Sequence, residues 1–223
     1  MSAAADAEPA RVSTAATRHR AHAVGIGVRL ELVTVGWMVV EAVAALAAGI
    51  IARSVLLSAF GFDSLIELLS GIVLLRRLSV EASGAASGEV ERLEAWTARV
   101  AAVLLVLLCI YVVGTSLAGL FFGLKPDGSL LGIGVAAVAL VAMPVLALGK
   151  NRANRIIDSA SLRADVAETI TCAFMAGVTL AGLGLSMLSG IWWLQYVAAL
   201  ALLIWLVPET REAIEVATGG HRD

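Results

Sequence analysis

Charge is what this sequence has least of. Asp, Glu, Lys and Arg make up 15% of its 223 residues, against about 25% in a soluble globular domain. Histidine is scarcer still: His19, His22 and His221 all lie near the two ends. No Ser–His pair and no H-E-x-x-H zinc motif therefore falls in the body of the chain. A G-x-x-x-x-G-K-[ST] phosphate loop is missing too, which removes ATP-driven work. No enzymatic activity and no permanently bound cofactor is expected. The two cysteines, Cys109 and Cys172, lie in separate apolar runs, which excludes the disulfide framework of a small secreted domain. Basic residues are not interleaved with aromatics, and the formal net charge is −2. Nucleic acid is not an expected partner.

Apolar sequence fills the space left. Hydrophobic residues reach 60%, the mean hydropathy is +0.92, and the excess is gathered into long runs. A helix needs about 20 mostly apolar residues to cross about 30 Å of hydrocarbon. Six stretches reach about that length: Leu30 to Ile51, Ser54 to Leu75, Val100 to Phe122, Leu130 to Leu148, Ser161 to Leu188 and Ile191 to Val207. No alternating ten-residue pattern of a barrel strand occurs, so helices must satisfy the backbone in lipid. The expected fold is an all-α membrane protein of six transmembrane helices, with the lipid bilayer as its first partner.

The expected layout is a disordered tail over residues 1–22, a transmembrane domain over 23–208 and a short tail over 209–223. The first tail has no apolar stretch of a signal peptide and carries Asp6 and Glu8, so it is not read as cleavable. Every basic residue except Arg53 and Lys125 falls on one side of this layout. Lys150, Arg152, Arg155 and Arg163 supply that side at the fourth loop. The positive-inside rule then gives a multi-pass protein of the cell membrane with both termini cytoplasmic. Trp192, Trp193 and Tyr196 read as an outer interfacial anchor, Trp96 and Trp205 as an inner one.

An acid inside a span costs about 2.5–3.5 kcal/mol at the helix centre, so each one asks for a reason. Helix 1 carries Glu41, about 16 Å along it. Helix 2 carries Asp63 and Glu67, and helix 5 carries Asp165, Glu168 and Cys172. Asp63 and Glu67 are four residues apart, as are Glu168 and Cys172, so each pair shares a helix face. At 1.5 Å per residue Asp63 lies about 14 Å below the outer end of its helix, and Glu168 about 10 Å above the inner end of its own. Both pairs arrive near the midplane. An offset of 105 that lays Asp63 on Glu168 also superposes Ser54 on Ser159, Leu57 on Leu162 and Ala59 on Ala164. Three helices per half would invert one half against the other, a 3+3 inverted-repeat-like plan with the site at the interface.

Two Glu, one Asp and one Cys suit a divalent first-row metal. Four ligands fit tetrahedral zinc, and a thiolate argues against magnesium or calcium. Four ionised groups in a low-dielectric site cannot stand without counter-charge, so some hold protons when no metal is bound. Binding displaces those protons. Divalent metal ions and protons are thus the expected small partners, with the metal as transported substrate. Asp165 reads as a guide at the mouth of the pathway or a cap on its helix, and Glu41 as a relay or supporting partner. The alternatives are plainer: acids bonding between helices, and Cys172 as a small buried apolar group like Cys109. Gly177, Gly182 and Gly184 read as close-packing positions, and Pro144 as a kink.

The stretches Ser54 to Glu67 and Arg163-Ala164-Asp165-Val166-Ala167-Glu168-Thr169-Ile170-Thr171-Cys172 resemble the signature helices of the cation diffusion facilitator (cation efflux) family. That family's second helix carries S-x-x-x-L-x-A-x-x-x-D-x-x-x-D and its fifth R-A-D-x-x-H-x-x-x-D. Glu67 stands here for the second Asp, Glu168 for the His and Cys172 for the last Asp. The resemblance implies a homodimeric zinc-type cation/proton antiporter exporting metal from the cytoplasm, of a short branch lacking the family's cytoplasmic domain. Asp63, Glu67, Glu168 and Cys172 are then its metal ligands. A non-transporting metal sensor, or an accessory subunit of another transporter, is the alternative.

Overall fold

The computed structural model describes the backbone of residues 7–83 and 88–218, with side chains over 22–80, 92–93, 95–159 and 162–218. Six helices account for nearly all of it: α1 Ala7–Ile51, α2 Val55–Ser83, α3 Gly88–Phe122, α4 Leu130–Ile157, α5 Ala160–Ser189 and α6 Leu194–Ala217. Among the described residues there is no strand. Five helices contain a stretch long and apolar enough to cross a membrane. In α6 the apolar part ends at Pro208, before Glu209, Arg211 and Glu212. The protein is an all-α membrane bundle, and its largest outward side chains are apolar, Leu188 and Phe121 being 89% and 88% exposed.

Tight turns set the order of the helices. Between α1 and α2 the chain reverses through Arg53, a non-glycine residue at φ 50. The Ser54 amide closes the turn on Gly49 O at 2.9 Å, and Asp127 of the α3–α4 loop donates its amide to Ala52 O at 2.8 Å. Ser54 then caps α2, its hydroxyl oxygen accepting from Leu57 N at 3.4 Å. Ser159 caps α5 in the same way, accepting from Leu162 N at 3.4 Å. The two serines of the internal repeat thus perform one task, satisfying an orphan N–H of the first turn. Ser54 also donates to Gln195 at 2.7 Å, in the first turn of α6. The start of α2 therefore lies beside the end of α5, and the two helices run in opposite directions.

Each helix has one dominant neighbour: α1 lies on α2, α4 on α5 and α3 on α6, with α4 also packed on α1. The core between them holds Leu56, Leu57, Phe60, Met143, Met175, Leu183, Leu202 and Leu206, all fully buried. Gly61 and Gly182 are among the glycines that permit close approaches. A Cβ on Gly61 would stand 2.8 Å from the backbone nitrogen of Leu46, and one on Gly182 would collide with Ala198 and Leu56. Gly177 would make only ordinary contact with Leu140 and Gly184 faces open space, so of the three glycines expected at close packing Gly182 alone has that role.

Several expectations are corrected. The stretch read as a disordered tail to residue 22 is helical from Ala7. Ala and Arg dominate it and have high helix propensity, Pro9 sits in the first turn where its missing N–H costs nothing, and an apolar helix below removes the nucleation penalty. Residues 1–6 and 219–223 lie outside the described residues. The tail after residue 208 is the continuation of α6 as far as Ala217. Tyr196 is no interfacial anchor: it is 3% exposed and donates its hydroxyl to Leu124 O at 3.0 Å. Trp205 stacks on Phe174 with ring centroids 6.0 Å apart.

Candidate ion-binding site

Helix α2 carries Asp63 and Glu67 on its inner face, and both are buried, at 0% and 3% exposure. None of their four carboxylate oxygens has a hydrogen-bond partner. Nearly all buried polar groups in folded proteins find one, and unlike Glu31 and Asp165 these two acids have no ion pair among the described residues either. Helix periodicity explains how they are presented: one turn separates them, and the larger apolar residues of α2 hold that face inward.

Glu41, fully buried on α1, sits beside them but is satisfied. Its Oε1 accepts from Ser64 Oγ at 2.7 Å and from Cys172 Sγ at 3.5 Å. Its Oε2 accepts from Trp37 Nε1 at 2.5 Å. Ser64 adjoins Asp63 in sequence, so Glu41 ties α1 to the acid-bearing face of α2 and to α5. Cys172 is fully buried, and in this arrangement its thiol is a donor to Glu41, with Glu67 and Asp63 among its charged neighbours. Cys109, expected to be packing, contacts Thr210 Oγ1 at 3.5 Å.

Below these groups lies a cavity of about 550 Å³ walled by α2, α3, α5 and α6. Glu67, Asp165, Glu168, Glu209 and Glu212 line it, and among the described residues no lysine or arginine does. It occupies the half of the bundle where α5 begins and α6 ends. Asp165 reaches it with 9% exposure and holds Lys150 Nζ at 2.6 Å. Glu168, one turn before Cys172 on α5, opens onto the same space.

The structure therefore puts Glu67, Glu168 and Asp165 on the cavity wall and buries Asp63 and Cys172 in the core. Full convergence of the four expected ligands is not reached. Among the described residues no three His, Cys, Asp or Glu side chains stand close enough to hold a metal ion as they are placed.

Three further residues escaped the sequence reading. Glu209 was assigned to a tail because the apolar run stops at Pro208, yet it lines the cavity and its Oε2 is buried without a partner. The signal available was the apolar Ala213, Ile214 and Val216 after it, which continue α6. Glu31 was passed over at the start of the first run. Lys150 was counted among the surface charges of the fourth loop, but α4 continues to Ile157 and Lys150 is 0% exposed.

The cation efflux transmembrane domain, as a family model, matches residues 32–216, which take in α2, α5 and the cavity. No curated protein matches the chain.

Proposed function

The chain belongs to the cation efflux family, and we propose that it is a divalent-metal/proton antiporter exporting zinc or a related first-row ion. Membership supports a metal cation transporter rather than an enzyme. The observation that carries the finer reading is the pair Asp63 and Glu67: two buried acids with four unpartnered oxygens, one of them lining an acid-walled cavity. Such a pair is costly in lipid unless a cation or protons supply the missing charge.

On this reading a hydrated cation is attracted into the cavity by Glu209, Glu212, Asp165 and Glu168, which together focus negative potential in a low-dielectric cleft. Asp63 and Glu67 then exchange their protons for the cation, Glu168 and Cys172 complete its shell, and Glu41 orients Cys172 and the α2 face. The thiolate adds softness that favours zinc or cadmium over manganese. Two copies in the cell membrane, with termini and cavity mouth on the cytoplasmic side, complete the proposal.

Flux in proteoliposomes across a panel of divalent ions, with internal pH recorded, tests it. Metal movement should be accompanied by opposite proton movement, and Cys172→Asp should keep flux while shifting preference toward manganese or iron(II). Binding without any flux would return the protein to a sensor or accessory role.

A further inference from the structure

Two buried charges that this mechanism does not use, Lys150 and Glu31, cluster with Asp165. Lys150 of α4 is fully buried and presents its ammonium to three oxygens: Glu31 Oε2 of α1 at 2.8 Å, Asp165 Oδ2 of α5 at 2.6 Å and Thr169 Oγ1 at 3.4 Å. Thr169 is held in turn by donating to Asp165 O at 2.8 Å. An ammonium has three donors, and each here has an oxygen in reach. Glu31 is 0% exposed and does not line the cavity, whereas Asp165 does. The cluster holds two acids and one base, and only one acid looks onto the space a cation would occupy.

We propose that Lys150 is a resident counter-cation of the transport pathway, which occupies Asp165 until a divalent ion displaces it toward Glu31. Three features carry this. A lysine kept dry between two carboxylates is rare and costly in a membrane span, and packing alone would be served as well by an apolar side chain of similar volume. The asymmetry of the pair gives the ammonium somewhere to go, since Glu31 stays behind the helices and can hold it as a neutral pair. Asp165 and Glu168, three residues apart on α5, share a face and both line the cavity. A cation between them repels the ammonium and attracts the carboxylate the ammonium would release.

The device sets charge selectivity. A monovalent ion approaching Asp165 offers no more charge than the lysine already there, so it cannot displace it. A divalent ion offers twice as much. Lys150 and Glu31 are therefore specificity-determining residues that act through Asp165. The inference rests on the reading of Asp63 and Glu67 as cargo ligands.

The test is zinc binding by the purified full-length protein, with and without excess sodium or potassium at constant ionic strength. Wild type should bind zinc with an affinity indifferent to the monovalent ion. Glu31→Gln/Lys150→Met removes the buried pair, leaves Asp165 in place and keeps the net charge. It should bind zinc about tenfold more tightly, because the ammonium that stands 2.6 Å from Asp165 is gone, and sodium or potassium should now compete. Adding Asp165→Asn should abolish both effects. Unchanged affinity and unchanged indifference in a folded double variant would overturn the proposal. The chain has only two lysines, Lys125 and Lys150, so ¹⁵N-lysine labelling of the wild-type protein decides the matter if the variant does not fold. Zinc should move the Lys150 Nζ resonance and leave that of Lys125 in place; an unmoved Lys150 at saturation would likewise overturn it. Zinc binding retained in Asp63→Ala would instead count against the cargo-ligand reading, so the two failures are distinguishable.

Discussion

The α2 acids and the Lys150 cluster are two answers to one difficulty, how to keep carboxylates in a medium that does not solvate them. Around Lys150 the protein supplies the cation itself, although Glu31 Oε1 is left without a partner. Two acids from α1 and α5 share one ammonium, and the ions lie within 2.8 Å of each other. At Asp63 and Glu67 no carboxylate oxygen meets the geometry of a hydrogen bond or ion pair among the described residues. Glu41 lies between these extremes, neutral donors from Trp37, Ser64 and Cys172 meeting its two oxygens. The difference lies in where the counter-charge comes from: Lys150 joins α1, α4 and α5 through its ion pairs, while Asp63 and Glu67 have no such partner among the described residues.

The contrast can be broken most sharply at Asp63. Asp63→Ala should reduce metal flux to the level of empty liposomes while the melting temperature in detergent does not fall, since one of two repelling, unpartnered acids has been removed. Retained flux, or a large loss of stability, would place Asp63 with the structural charges. Lys150→Met probes the other side. It leaves Glu31 and Asp165 buried without their cation and should destabilise the protein by about 3–5 kcal/mol. Equilibrium unfolding would measure the loss, and adding Glu31→Gln should recover much of it. A cost near zero would mean that the cluster is not the tight ion pair described. The smallest effect belongs to charge that water already solvates. Arg53 and Asp127 pair at 3.1 Å with side chains 77% and 63% exposed, and such pairs contribute about 0–1 kcal/mol. Arg53→Ala should leave flux unchanged and shift stability within that range; a larger loss would show that the α1–α2 turn depends on the pair.

Legibility followed the range of the interaction. Asp63, Glu67, Glu168 and Cys172 were visible because helix periodicity is local and an acid in an apolar run is conspicuous. The capping serines 54 and 159 were visible for the same reason, as part of a repeated pattern. Lys150 was not, since its position just past Leu148 is compatible with a loop, and only the neighbours on α1 and α5 make it a buried charge. Tyr196 was misplaced at the interface because an aromatic near a helix start fits that pattern, whereas a gap above Gly119 takes its ring. Glu209 was cut off by a proline that α6 in fact accommodates.

The amino-acid order alone determined that this chain lives in a membrane as six helices, and which acids lie deep within them. Those properties depend on hydropathy summed over about 20 residues and on a 3.6-residue period, both written along a single segment. What only the tertiary structure decided is which of those acids is answered. Pairing depends on the atoms that neighbouring helices bring within about 3 Å, and these come from segments far apart in the chain: Lys150 with Glu31, and Cys172 with Glu41. A carboxylate is a cost or a site according to that neighbour, and no local pattern in the sequence records it.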